Sequence, residues 1–121
     1  MKNKETGYAG EKLVAEFLES RGCEILCRNF TIRGGEIDIV AKQGEYVLFI
    51  EVKTRKKGSM VSGTEAVTQR KRQLIIKTAE EYIYRTGCDL QPRFDVVSIE
   101  LDKGKISDII YIDNAFDLSE L

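Results

Sequence analysis

Three charged residues stand inside or at the end of apolar runs, and their types are those that handle metal ions and phosphates. Asp38 lies between Ile37 and Ile39, and Glu51 and Lys53 close the run Tyr46-Val47-Leu48-Phe49-Ile50. An unpaired buried charge is expensive, so a strand core excludes such residues unless they have partners. Glu51 and Lys53 are two apart, so in a strand they face the same side. Asp38 joins them if the hairpin between the strands has an even register. A two-residue turn at Gln43-Gly44 pairs Asp38 with Phe49 and makes it the diagonal neighbour of Glu51. Diagonal neighbours lie about 7–8 Å apart, close enough for two carboxylates to share one ion. A three-residue turn would send Asp38 to the opposite face.

Phosphodiester hydrolysis needs an activated water and stabilisation of negative charge, and a divalent cation held by carboxylates supplies both. Mg²⁺ or Mn²⁺ fits the oxygen ligands, since Mg²⁺ needs only one or two protein carboxylates and keeps several waters. The metal candidates are Asp38, Glu51 and the backbone carbonyl of Val52. Lys53 is the candidate to orient water or stabilise phosphate charge, as a compact cation with three donors. Two accessory candidates are Glu11, on the helix face shared with Val14, Ala15 and Leu18, and Gln69, in the segment "TQRKRQ". Glu36 falls on the strand face of Asp38. Each residue also has a plain reading: E-x-K at a strand end suits a surface ion pair, and Asp95 suits a structural role at a strand start. The combination carries more than its parts.

The elements that must position these residues follow from periodicity. Residues 5–21 predict a helix, with Leu13, Val14, Phe17 and Leu18 inward and Gly22 ending it. Strands are expected over 23–30, 36–41 and 46–54, with turns at 33–35 and 43–44. The apolar run from Tyr46 suits a central strand covered on both faces. Ser62-x-x-Glu65 has capping-box spacing, so the second helix is expected from there to Thr86, with Val67, Leu74, Ile75, Ala79, Tyr82 and Ile83 inward. Strands at 93–101 and 105–112, joined at Lys103-Gly104, complete the order α-β-β-β-α-β-β. The third and fourth strands flank a helix and should be parallel, whereas the first three form an antiparallel meander. The fold class is α/β, a mixed five-stranded sheet flanked by helices.

The 121 residues suit one domain spanning 1–121. No apolar stretch is long enough for a transmembrane helix, and the basic N-terminus has no apolar run behind it, so a cytoplasmic protein without membrane association is expected. Cys23, Cys27 and Cys88 are an odd set, and the chain has no histidine, so reduced thiols are expected rather than a zinc site. The net charge is −1, but residues 53–77 hold eight basic residues against one acid, and residues 95–121 hold seven acids against two lysines. The basic zone makes Arg55, Lys56, Lys57, Arg70, Lys71 and Arg72 candidates for nucleic-acid contact, although solvated faces would explain the same charges.

Asp38, twelve intervening residues and Glu51-Val52-Lys53 resemble the PD-(D/E)xK nuclease core, the fold of type II restriction endonucleases and archaeal Holliday junction resolvases. More closely, "GYAGEKLVAEFLESRG", "GEIDIVA", "FIEVKTR" and "RFDVVSIE" resemble the YraN family of small endonuclease-like bacterial proteins, over about residues 7–116 and in the same order. The resemblance implies a restriction-endonuclease-like core, metal ligation by Asp38 and Glu51, a catalytic Lys53, and accessory roles for Glu11 and Gln69. Ile37 stands where the named motif has proline. The implied activity is metal-dependent DNA endonuclease, with branched or junction DNA as substrate and a homodimer as the working form. The alternative is a nucleic-acid-binding module that keeps the fold and cuts nothing. Little exists beyond the core, so recognition by shape and backbone is expected over base readout.

Overall fold

The computed structural model describes residues 4–58 and 67–117, with side chains from Gly10 onward. The elements are α1 (Lys4–Ser20), β1 (Glu24–Ile32), β2 (Gly35–Gln43), β3 (Tyr46–Lys56), α2 (Gln69–Thr86), β4 (Gln91–Asp102) and β5 (Lys105–Phe116). They form one five-stranded sheet in the order β1-β2-β3-β4-β5, antiparallel except for the parallel β3–β4 pair. The α-β-β-β-α-β-β order, the meander and the parallel crossover are those expected from the sequence. β3 is the central strand and buries Val47 through Val52.

Two apolar layers enclose the sheet. On one face α1 lays Val14, Ala15 and Leu18 against Ile39, Ala41, Leu48, Ile50 and Val52. On the other, Ile75, Ile76, Ala79 and Tyr82 of α2 meet Val40, Val47, Phe49 and Val96. Phe17 and Leu74, both expected inward, are instead exposed. Each sits at the margin of its helix's apolar stripe. Phe17 lies tilted against Tyr111, ring centroids 6.1 Å apart, while Leu74 lines an open cleft.

Two local assignments are corrected. The β2–β3 turn is Gly44-Glu45, because Gln43 pairs with Tyr46. Gly44 has φ +57°, and a primed two-residue hairpin needs positive φ at its first central position, which glycine adopts without strain. The shift keeps the register even, so Asp38 still shares the face of Glu51. The second correction concerns α2, which begins at Gln69 with Thr68 as N-cap; the Thr68 hydroxyl accepts from Lys71 N–H at 3.2 Å. Ser62 and Glu65, read as a capping box, lie outside the described residues. Val67 is buried as expected, but it precedes the helix.

Asp95 has the structural role expected of it, but inside β4 rather than at its start. It is fully buried, receives Arg93 at 3.0 and 2.9 Å, and accepts from Tyr111 O–H and Asn114 N–H. Burial and the bond to Asp95 hold the Tyr111 phenol far above its ordinary pKa. All three cysteines are free thiols. Among the described residues no helix is long and apolar enough to cross a membrane.

Gly35 sets how closely α2 lies on β2, because a Cβ there would overlap Thr78 Oγ1. Thr78 is β-branched, and its hydroxyl already donates to the Leu74 carbonyl at 2.7 Å, so it has little freedom to yield. Gly35→Ala should therefore cost about 1–3 kcal/mol of stability through overpacking. Adding Thr78→Ala should restore most of that loss relative to Thr78→Ala alone. Urea titrations of the four proteins measure the coupling; additive costs would place the strain elsewhere.

Candidate active site

The site forms where the sheet parts. β2 pairs with β3 only as far as Ile39 and Ile50. Beyond that point Ile37, Glu36 and Gly35 pair with β1 alone, and Glu51 through Lys56 pair with β4 alone. The strands diverge, and Asp38 and Glu51 are the first residues past the last shared pair. Continuing the register sets them opposite each other rather than diagonal, which corrects the expected Asp38–Phe49 pairing.

The divergence leaves backbone groups of β3 without a strand partner on that side. Asp38 answers one of them, its Oδ2 accepting from Val52 N–H at 2.8 Å. A buried N–H without an acceptor would cost about as much as a lost hydrogen bond. The N–H and C=O of one strand residue point to the same side, so the Val52 carbonyl is directed into the same parting.

Asp38 and Glu51 are 7% and 6% exposed, yet both line a cleft of about 530 Å³ that opens between the strands and the start of α2. Glu36, Val52, Lys53, Thr68, Arg70 and Lys71 line it too. Glu51 is held by two ammonium groups on one oxygen: Lys53 Nζ is 3.3 Å and Lys71 Nζ 2.8 Å from Oε1. Burial lowers the Lys53 pKa, and its contact with Lys71 lowers it further, against the opposing pull of Glu51. For Lys71 burial also works downward, but the hydrogen bond and charge of Glu51 outweigh it and the pKa is raised. Asp38 adds its charge to that pull.

The structure thus gathers Asp38, Glu51, Val52, Lys53 and Lys71. Gln69 is the exposed first residue of α2 and does not line the cleft. Glu11 is 3% exposed on α1, against the opposite face of the sheet, with Oε1 3.9 Å from Arg28 Nη2; it too is absent from the cleft lining. Among the nucleic-acid candidates, Arg55 meets Glu100 at 3.4 Å, Lys57 meets Asp102 at 3.9 Å, and Arg72 donates to the Val67 carbonyl. Arg70 is exposed at the cleft, and Lys56 is exposed at the end of β3.

Lys71 is the residue whose place the sequence reading missed, since it was grouped with general phosphate contacts. A usable signal was present: Thr68 two residues before "RKR" is a good N-cap, and it puts Lys71 in the first turn of α2.

The donor set suits a hard divalent cation. Among the described residues no group of three or more His, Cys, Asp and Glu side chains is placed to hold a metal ion by itself. Two carboxylates and a backbone carbonyl match the sparse protein ligation of Mg²⁺. The Lys71 ammonium, close to Glu51 and within the field of Asp38, already marks the position as one that attracts a cation.

The chain's relatives agree in extent. The model of "Uncharacterised protein family UPF0102" matches residues 10–99. A UPF0102 protein of Dictyoglomus thermophilum is 45% identical over 118 residues, covering 96% of this chain and 100% of the relative. One of Geobacter metallireducens is 43% identical, covering 97% and 96%, and one of Caldicellulosiruptor saccharolyticus is 40% identical, covering 96% and 100%. Matches of this length include both strands of the parting and both helices, and the chain belongs to the UPF0102 family, the YraN family that its motifs resemble.

Proposed function

We propose that this protein is a metal-dependent DNA endonuclease that hydrolyses phosphodiester bonds in the cleft between β2 and β3, with branched or junction DNA as its substrate class. The observation that carries the reading is the meeting of Asp38, Glu51 and Lys53 at the strand parting, on one face and at the wall of an open cleft. Mg²⁺ or Mn²⁺ held by Asp38, Glu51 and the Val52 carbonyl would supply charge neutralisation at the phosphate and a lowered pKa for an attacking water. Asp38 keeps its orientation through the Val52 N–H. Lys53 is anchored two residues from Glu51 and presents its ammonium to the phosphate oxygens or the incoming water. Arg70 is exposed on the cleft wall and suits a contact to the flanking backbone. Symmetric cutting of a junction would require two copies of the chain.

Purified protein with Mn²⁺ should cut at least one of linear, nicked, flapped and four-way DNA. Asp38→Asn tests the assignment cleanly, because the amide oxygen still accepts from Val52 N–H while the charge is gone. Its turnover should fall by about 100-fold or more, the scale on which lost transition-state electrostatics are felt. Failure of the wild type on every substrate, or equal cutting by Asp38→Asn, overturns the reading. Independently of cleavage, Mn²⁺ at about 100 times its Kd should stabilise the wild type by about 2.7 kcal/mol and leave Asp38→Asn/Glu51→Gln unchanged, as followed by thermal denaturation.

A second reading, a nucleic-acid-binding module without catalysis, is favoured by one feature: Glu51 already has two lysines on it and is electrostatically satisfied without an ion. In that case DNA affinity should fall steeply with salt, as released counterions require, and should not respond to Mn²⁺. Filter binding across 50–200 mM salt, with and without the ion, separates the two readings.

A further inference from the structure

Two ammonium groups share one carboxylate oxygen, which is more positive charge than Glu51 needs. Lys53 Nζ and Lys71 Nζ lie 3.3 and 2.8 Å from the same Oε1. A divalent cation ligated by Glu51 would bring a third centre of positive charge within a few ångströms of both. Like charges at such separations repel strongly wherever water is thin, so one lysine must give way.

The fold decides which. Lys53 is fixed on the central strand beside Glu51, in a ladder with β4 that continues unbroken through it, and its side chain is 23% exposed. Lys71 comes from the first turn of α2, its side chain is 39% exposed, and it stands on the cleft wall beside Arg70 and Thr68. A lysine stem on a helix surface swings between rotamers at small cost, and the cleft mouth gives it room. Lys71 is also the group under the field of both carboxylates, Glu51 and Asp38.

We propose that Lys71 is an internal counter-cation that neutralises Glu51 before the metal arrives and is exchanged for it. This inference rests on the metal-dependent reading above. The displaced ammonium then faces the open cleft, where a phosphate group would meet it. Metal and phosphate are thereby coupled through one side chain: the ion releases Lys71 to the anion, and an anion that engages Lys71 removes the ion's competitor. Linkage makes the coupling reciprocal in binding.

The test is calorimetric titration of Mn²⁺ into the full chain without nucleic acid, for wild type, Lys71→Met and Lys71→Arg. Removing a competitor should tighten the metal, so Lys71→Met should bind Mn²⁺ about two- to fivefold more tightly than wild type, the range expected for losing one partly exposed ion pair. Lys71→Arg keeps the charge and should stay near wild type. A merely structural role for Lys71 predicts equal or weaker metal binding on its loss. Inorganic phosphate should tighten Mn²⁺ on the wild type and have a smaller effect on Lys71→Met. If wild type binds Mn²⁺ and Lys71→Met binds it no more tightly, the exchange is overturned and the metal site stands. If none of the three binds Mn²⁺ while all are folded by circular dichroism, the metal reading fails and the exchange fails with it.

Discussion

The hydrogen bond from Val52 N–H to Asp38 is the interaction on which the site depends. Adjacent strands satisfy each other's backbone, and strands that part must find substitutes for the lost bonds. Here a side chain replaces a carbonyl: the aspartate stands one residue past Ile39, where the β2–β3 ladder ends. The same carboxylate that permits the parting is thereby oriented within it. Structural and chemical demands on Asp38 cannot be separated by removing the residue, only by changing its charge while keeping an acceptor. That is why a core position flanked by Ile37 and Ile39 tolerates an acid.

Charge balance explains how the cleft is stable as it stands. Asp38 and Glu51 carry two negative charges with little exposure, and Lys53 and Lys71 set two positive charges against them. Burying a carboxylate without a partner would cost several kcal/mol, whereas this quartet is close to neutral. The arrangement is also asymmetric, since both lysines crowd one oxygen of Glu51 while Asp38 takes a backbone donor. The charge at the site is therefore distributed so that Glu51 is the carboxylate most affected by any incoming cation.

How much of this was legible in the sequence depends on whether a feature is local. The strand parity of Glu51 and Lys53 follows from spacing alone, and the central place of β3 follows from its unbroken apolar run. Asp38 was brought to the correct face although the turn was misplaced by one residue, because moving a two-residue turn from Gln43-Gly44 to Gly44-Glu45 shifts the pairing sum by two and preserves parity. The divergence of β2 from β3 was not legible, because it arises from each strand following a different outer neighbour. The start of α2 was legible only in part: the capping-box spacing at Ser62 competes with Thr68, and Thr68 is the cap the structure uses.

The basic zone shows the same limit in electrostatic form. Counted along the chain, residues 53–77 look strongly cationic and residues 95–121 strongly acidic. The parallel β3–β4 ladder sets Arg55 opposite Glu100 and carries Lys57 to Asp102, so the two blocks partly neutralise each other across the sheet. A charge tally by segment cannot foresee this, because the pairing joins residues some 45 positions apart. What is left facing the cleft is a small set, Lys53, Arg70 and Lys71, of which two already hold Glu51. A polyanion approaching this surface meets cations concentrated at the strand parting rather than spread along a basic face. On the nuclease reading proposed above, such a surface would contact one or a few phosphates at the cleft instead of tracking a long duplex.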